Sequence, residues 1–340
     1  MQPVFFGLAG LELSAPERVL FAAHPPAGFI LFKRNVESRA QLKALTDTLR
    51  EITGRAGVPI LIDQEGGRVA RLQPPEWDAF PTGAAFDAVY ETAPMTAIEA
   101  ARCNAMALGL MLAEVGINVN CAPLLDVRVQ GAHDVIGDRA YGFEPLRVAA
   151  LGRAVLEGLA AAGVVGVIKH IPGHGRAMCD SHLELPVVDV SADELETDLA
   201  PFIALKAAPM AMTAHIVYKA WDDARPGTMS PVVIGDIIRR RIGFDGLLMS
   251  DDLNMKALPG STAEKTRTVL AAGCDIVLHC SGHIDEMRDV SAAAAEISDA
   301  ARARLDAAMA TVAAPAGPPP YAELIAKRDA FLARAGVVPV

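Results

Sequence analysis

The chain has 340 residues, 52% hydrophobic and 21% charged, which suits one large barrel or two ordinary domains and excludes a mainly disordered protein. Its 31 Lys and Arg against 41 Asp and Glu give a net charge of −10 with no basic stripe, which argues against nucleic acid as a partner. The longest apolar stretch, Gly158 to Ile168, contains three glycines and falls short of the roughly 18 residues that a membrane span needs, so no membrane association is expected.

The apolar segment Met1 to Gly10 has no basic flank and no convincing cleavage site before Glu12 and Glu17, so it reads as a first strand rather than a signal peptide. Strand-length apolar runs then recur at Val4 to Leu8, Gly28 to Phe32, Pro59 to Ile62, Asn118 to Pro123, Val164 to Ile168, Met210 to His215, Gly246 to Met249 and Asp275 to His279. Most intervals carry helical periodicity, as in Ser38 to Thr53 and Glu144 to Ala162. Beyond Ile284 the pattern predicts a long Ala-rich helix to about Ala313, a breaker at Pro315 to Pro320, and a final helix from Tyr321. Runs that are continuously apolar belong to strands covered on both faces, and eight of them alternating with helices predict closure. The expected fold is therefore α/β, a single (β/α)8 TIM-type barrel over about residues 1–300 with a C-terminal helical extension over about 301–340, in one domain. An open doubly wound sheet lacks its Gly-x-Gly-x-x-Gly turn after the first strand, no Walker-type loop is present, and no cofactor is expected. Five cysteines, Cys103, Cys121, Cys179, Cys274 and Cys280, show neither zinc nor disulfide spacing, which points to a reducing, cytoplasmic setting.

In a β/α barrel the chemistry sits where strands end. Strand three ends in Asp63-Gln64-Glu65-Gly66-Gly67-Arg68, strand four leads to Asp126, strand five ends in Lys169-His170, strand six at His215, and strand seven in Ser250-Asp251-Asp252. Asp252, directly before Leu253 to Leu258, has the position of a helix N-cap, leaving Asp251 as the candidate for chemistry. Lys169 and His170 could be a satisfied rim pair, but Asp63, Lys169, His170 and Asp251 meeting at one mouth imply a polar ligand, because unpaired buried charge is costly. The loop from Gly173 to Leu185 contains Asp180-Ser181-His182, which fits either a proton-relaying Asp–His pair or an Asx turn. Met106, Met111, Trp77 and Trp221 are expected to be core or rim packing.

Asp63-Gln64-Glu65-Gly66-Gly67-Arg68-Val69, Ile136-Gly137-Asp138-Arg139, Lys169-His170-Ile171-Pro172-Gly173-His174-Gly175, Asp180-Ser181-His182 and Ser250-Asp251-Asp252-Leu253-Asn254-Met255 resemble, in order, the motifs of bacterial β-N-acetylhexosaminidases of glycoside hydrolase family 3. The resemblance is to the cytoplasmic single-domain type that acts in peptidoglycan recycling. It departs at Ile171, where Phe is frequent, and at Asn254, where Ser is frequent. It implies a retaining mechanism with Asp251 as nucleophile, His182 as general acid/base and Asp180 orienting His182. It also implies that Asp63, Arg71, Arg139, Lys169 and His170 bind the terminal sugar. The implied substrate is N-acetylglucosamine β-linked to 1,6-anhydro-N-acetylmuramic acid, with or without peptide. A monomer is expected because no exposed apolar helix stands out for pairing, and no metal is expected. The loop bearing His182 is expected to be displaced without ligand.

Alternatives remain at this level. A phosphorolytic variant would use the same residues, since a neutral His repels phosphate less than a carboxylate does. A sugar-binding barrel would need Asp63 and Lys169 but neither Asp251 nor His182. A zinc hydrolase would recruit His170, His174, His182 and His215, although no His-x-His closes the first strand, and a Schiff-base lyase would use Lys169.

Overall fold

The structure is a computed structural model that describes residues 1–340 apart from 182, 312–316, 318, 335 and 338–340. The strands among the described residues are β1 (Gln2–Gly7), β2 (Pro26–Leu31), β3 (Ile60–Ile62), β4 (Val119–Asn120), β5 (Val165–Ile171), β6 (Val187–Val188), β7 (Met210–Thr213), β8 (Val217–Tyr218), β9 (Leu247–Asp252) and β10 (Ile276–His279). All but β6 and β8 close an eight-stranded parallel barrel in the order β1-β10-β9-β7-β5-β4-β3-β2. This is the expected (β/α)8 architecture. β6 and β8 pair with each other outside it, a two-stranded element that sequence analysis did not anticipate.

Successive side chains of a strand point to opposite faces, and here both faces are apolar. Phe5, Ile30, Leu61, Val167, Met210 and Leu247 pack inside the barrel. Val4, Phe6, Phe29, Leu31, Ile60 and Ile62 pack outward against the helices. Gly28 lets β2 pass the ring of Phe5, since a Cβ there would lie 2.6 Å from the carbonyl oxygen of Pro59 and 2.9 Å from that ring. Serines start the helices: Ser14, Ser191 and Ser261 each form a reciprocal cap with a glutamate three residues on, and Ser38 caps Arg39–Thr53. Trp77 and Met111 are buried, and Trp221 packs against the core.

Three expectations change. The fourth strand is shorter than its apolar run because the Asn120 side chain replaces the ladder, accepting from Gln64 N–H at 3.1 Å and donating to Gln64 O at 2.9 Å. The seventh barrel strand runs past Met249 to Asp252. The single helix expected from Ile284 is two helices, Ile284–Ala293 and Asp299–Met309, the second capped by Ser298, whose Oγ accepts from Ala301 N–H at 3.1 Å. Alanine's high helix propensity conceals this break in the sequence.

The break has a structural use, and the segment is more than trim. Ile297, Ala301, Leu305 and Ala308 join the interior cluster, and Ile297 N–H donates to Met1 O at 3.0 Å, so this helix closes the N-terminal end of the barrel. Arg304 fixes it there by bridging Asp275 at 3.0 Å and Asp245 at 2.8 Å, the residues leading into β10 and β9. The last helix, Tyr321–Arg334, starts where expected and buries Arg328 against Phe80 and Asn104.

Because Leu305 is 2% exposed on this floor, Leu305→Ala removes packed methyl groups that nothing else fills. We expect a loss of about 2–5 kcal/mol in denaturant unfolding. A change within about 0.5 kcal/mol, typical of surface sites, would contradict the floor assignment.

Candidate active site

β3 delivers Asp63 to the C-terminal rim of the barrel, and Gln64 then folds the following loop back. Its Oε1 accepts from the N–H groups of Arg71 at 2.8 Å and Leu72 at 3.0 Å, while Nε2 donates to Leu72 O at 2.9 Å. This returns the Arg71 guanidinium to Asp63, with Nη2 3.4 Å from Oδ2. From β5, Lys169 Nζ reaches Asp63 Oδ1 at 2.9 Å and Glu65 Oε1 at 2.7 Å. Arg139 forks Glu65 from the other side through Nε to Oε2 and Nη2 to Oε1, both 2.8 Å.

Burial alone would raise the carboxyls of Asp63 and Glu65, but Lys169 with Arg71, and Lys169 with Arg139, outweigh it and hold both below the usual carboxylate range. Burial likewise works against the Lys169 ammonium, yet the two carboxylates raise it above its ordinary value. Lys169 is therefore a fixed cation and hydrogen-bond donor. A Schiff-base nucleophile needs the neutral amine, so this environment opposes the lyase reading.

The next residue, His170, turns to Asp126, its Nδ1 2.8 Å from Oδ2. Asp126 is fully buried; burial would raise its carboxyl, but His170 outweighs this and holds it low, so it accepts and Nδ1 carries the proton. Its Oδ1 also accepts the N–H groups of His170 at 3.1 Å and His174 at 2.7 Å. The His174 ring, pushed down to about 4 by burial and by His170, meets Ser181 Oγ at 3.1 Å through Nε2.

β9 ends in the paired acids. Asp251 Oδ1 accepts the N–H of Asp252 at 2.8 Å. Asp252 does not cap a helix, because the next one begins at Thr262 with Ser261 as its cap. Instead Asp252 Oδ1 accepts from Asn254 N–H and Cys280 N–H, both at 3.1 Å, tying β9 to the end of β10. Burial pushes its carboxyl up to about 6, with Asp251 adding to the rise. His215 is structural, its ring held between Thr228 Oγ1 at 2.7 Å and Asp252 O at 3.0 Å. Among the described residues no group of three or more His, Cys, Asp or Glu is arranged to hold a metal ion.

These side chains surround one cavity of about 460 Å3 at the C-terminal rim. Asp63, Arg71, Arg139, Lys169, His170 and Asp251, all singled out in the sequence, line it together. Asp180 is half-buried in the loop between β5 and β6, and the adjacent Ser181 lines the cavity. His182 lies outside the described residues. Glu65, Asp126, Ser181 and Arg34 had no assigned role in the sequence, and His174 only that of a zinc ligand in the metal-hydrolase alternative. Of these, Glu65 and Asp126 carried a signal, an acid just beyond an apolar run. No helix among the described residues is long and apolar enough to cross a membrane.

The Glycosyl hydrolase family 3 N terminal domain profile matches residues 10–314 of this chain. A Beta-hexosaminidase of Alkalilimnicola ehrlichii is 39% identical over 284 residues, 82% of this chain and 80% of its own length. The structure of NagZ from Neisseria gonorrhoeae in complex with N-trifluoroacetyl-D-glucosamine is similar with a TM-score of 0.86 at 32% identity, covering 98% of each chain. A glycoside hydrolase family 3 beta-N-acetylglucosaminidase from Paenibacillus is similar with a TM-score of 0.79 at 31% identity, covering 98% of this chain and 61% of the other.

The lowered carboxyls make stability depend on pH. In the unfolded chain Asp and Glu titrate near about 4. What Asp63 and Glu65 contribute is thus fully present above that range and lost as pH falls toward their lower folded values. Glu65→Gln leaves Lys169 and Arg139 without their shared counter-charge and is expected to cost about 3–5 kcal/mol at pH 7. The gap to wild type should narrow at pH 3; a gap equally wide at both pH values in urea unfolding would contradict this.

Proposed function

The chain belongs to glycoside hydrolase family 3, and from that premise we propose that it is an exo-acting, retaining β-N-acetylglucosaminidase. Its proposed substrates are peptidoglycan fragments with a terminal β-linked N-acetylglucosamine, such as N-acetylglucosaminyl-1,6-anhydro-N-acetylmuramic acid with or without peptide. It would act in the cytoplasm, as a monomer and without a cofactor, in cell-wall recycling. The observation that carries the reading is that Asp251 faces the same cavity as the Lys169-centred cluster. A carboxylate beside a dense set of fixed donors and acceptors suits a sugar whose hydroxyls and acetamido group need both.

In the proposed reaction an Asp251 oxygen attacks the anomeric carbon as the glycosidic C–O bond breaks. The leaving oxygen takes a proton from the His182 imidazolium, whose charge Asp180 offsets. Neutral His182 then removes a proton from water, and the resulting oxygen attacks the anomeric carbon, breaking the ester and restoring the Asp251 carboxylate. Two displacements retain the β configuration. Lys169, Arg71 and Arg139 donate to sugar oxygens, and Asp63 accepts from hydroxyls because its neighbours keep it ionised. With Nδ1 committed to Asp126, His170 presents Nε2 to the ligand.

Wild type is expected to release the aryl group from an aryl β-N-acetylglucosaminide with retained configuration and without a requirement for phosphate. Asp251→Ala should lower kcat/KM on the order of 10⁴-fold and His182→Ala by about 10²–10⁴-fold, in variants shown to be folded. An Asp251→Ala variant as active as wild type would sink the assignment, and turnover only with phosphate would make the enzyme a phosphorylase.

A further inference from the structure

Asp126 enters the reaction as proposed only by holding His170, yet its fully buried carboxylate takes three hydrogen bonds from two histidines on either side of the Ile171-Pro172-Gly173 turn. Burying a carboxylate is costly and apolar packing often serves stability as well, so a buried acid with this donor set points to a need for geometry. We propose that Asp126, His174 and Ser181 form a positioning relay, running from the buried segment after β4 into the loop after β5, that fixes Ser181, the chain neighbour of both Asp180 and His182, for proton transfer. The proposal rests on the hydrolase reading above.

The relay starts where the loop leaves β5. Asp126 Oδ1 holds His174 N–H at 2.7 Å, and the Tyr218 hydroxyl, itself buried, donates to Gly173 O at 2.8 Å. Gly175 lies directly on the backbone that follows Asp126, since a Cβ there would sit 1.7 Å from Val127 O. The first residues of the loop are thus seated on the Asp126–Val127 segment that follows β4. From this seat the His174 ring crosses the loop, and its Nε2 meets Ser181 Oγ at 3.1 Å with both residues buried. Ser181 is the residue between Asp180 and His182, and it lines the cavity. Meanwhile the other oxygen of Asp126 orients His170, so one carboxylate sets a sugar-facing imidazole and the root of the proton-handling loop together.

None of the three residues transfers the proton itself. Loss of the Ser181 hydroxyl should therefore hurt steps that need a proton delivered and spare those that do not, a split that general destabilisation would not produce. A phenyl aglycone is a poor leaving group and depends on protonation, whereas 2,4-dinitrophenolate leaves unaided. The kinetic parameter to compare is kcat/KM, which reports steps up to the first irreversible one.

For Ser181→Ala we expect kcat/KM to fall about 10–100-fold on phenyl β-N-acetylglucosaminide and less than about threefold on the 2,4-dinitrophenyl substrate. Ser181→Thr, which keeps the hydroxyl, should restore the phenyl rate to near wild type, and Asp126→Asn, which also releases the sugar-facing His170, should lower both rates but the phenyl rate more. If Asp126→Asn fails to fold, Ser181→Ala decides alone. Equal losses on both substrates, or no loss on either, would overturn the relay while leaving the hydrolase reading intact. A wild type that cleaves neither substrate would overturn both.

Discussion

Lys169 is the pivot of this molecule: one ammonium, 2% exposed, held between the carboxylates of Asp63 and Glu65. A lone charge at that depth is unsustainable, so the strand that carries it must find partners from elsewhere in the barrel. Asp63 and Glu65 come from the end of β3, and Arg139 reaches Glu65 from the segment after β4. The cluster thereby fixes three successive rim segments against one another. Its three cations, Lys169, Arg71 and Arg139, exceed its two carboxylates by one, which suits the electron-rich hydroxyl and carbonyl oxygens of a sugar.

Barrel geometry makes such a cluster available. Parallel strands bring all their C-terminal ends to one side, and apolar interior layers fill the body below. The helix Asp299–Met309 closes the other end, and the polar cavity lies at the rim. Asp252, bonded to backbone N–H groups on both sides of the β9–β10 junction, holds the strand end from which Asp251 projects. In the proposed mechanism the nucleophile is thus carried on the rigid wall and the proton-transferring residue on a loop. That division explains why the loop needs an anchor such as Asp126.

Much of this was legible in the sequence. Eight continuous apolar runs predict the barrel because strands covered on both faces cannot alternate, and polar residues breaking those runs mark the rim. Asp63, Lys169, His170 and Asp251 were visible for that reason. Glu65 and Asp126 stood in equally visible places, but their roles depend on Arg139 and His170, 74 and 44 residues away in the chain. No local pattern encodes such pairings. The bond from His174 to Ser181 depends in the same way on the path of a loop without helical or strand periodicity. The divided C-terminal helix was hidden because an Ala-rich stretch satisfies helical propensity on both sides of Ser298, and only the floor of the barrel requires the turn. The fourth strand stopped early for a related reason, the Asn120 amide doing side-chain work that an apolar run does not announce.

The central claim is that Asp251 bonds covalently to the sugar. Incubation with 5-fluoro-N-acetylglucosaminyl fluoride, whose ring fluorine slows both displacements while the anomeric fluoride still leaves, followed by proteolysis and mass mapping, addresses it directly. The account predicts one added glycosyl residue on the peptide containing Asp251 and localised to its carboxylate. Label on Asp252 or elsewhere, or turnover with no trapped enzyme under conditions where the fluoride is consumed slowly, would contradict it.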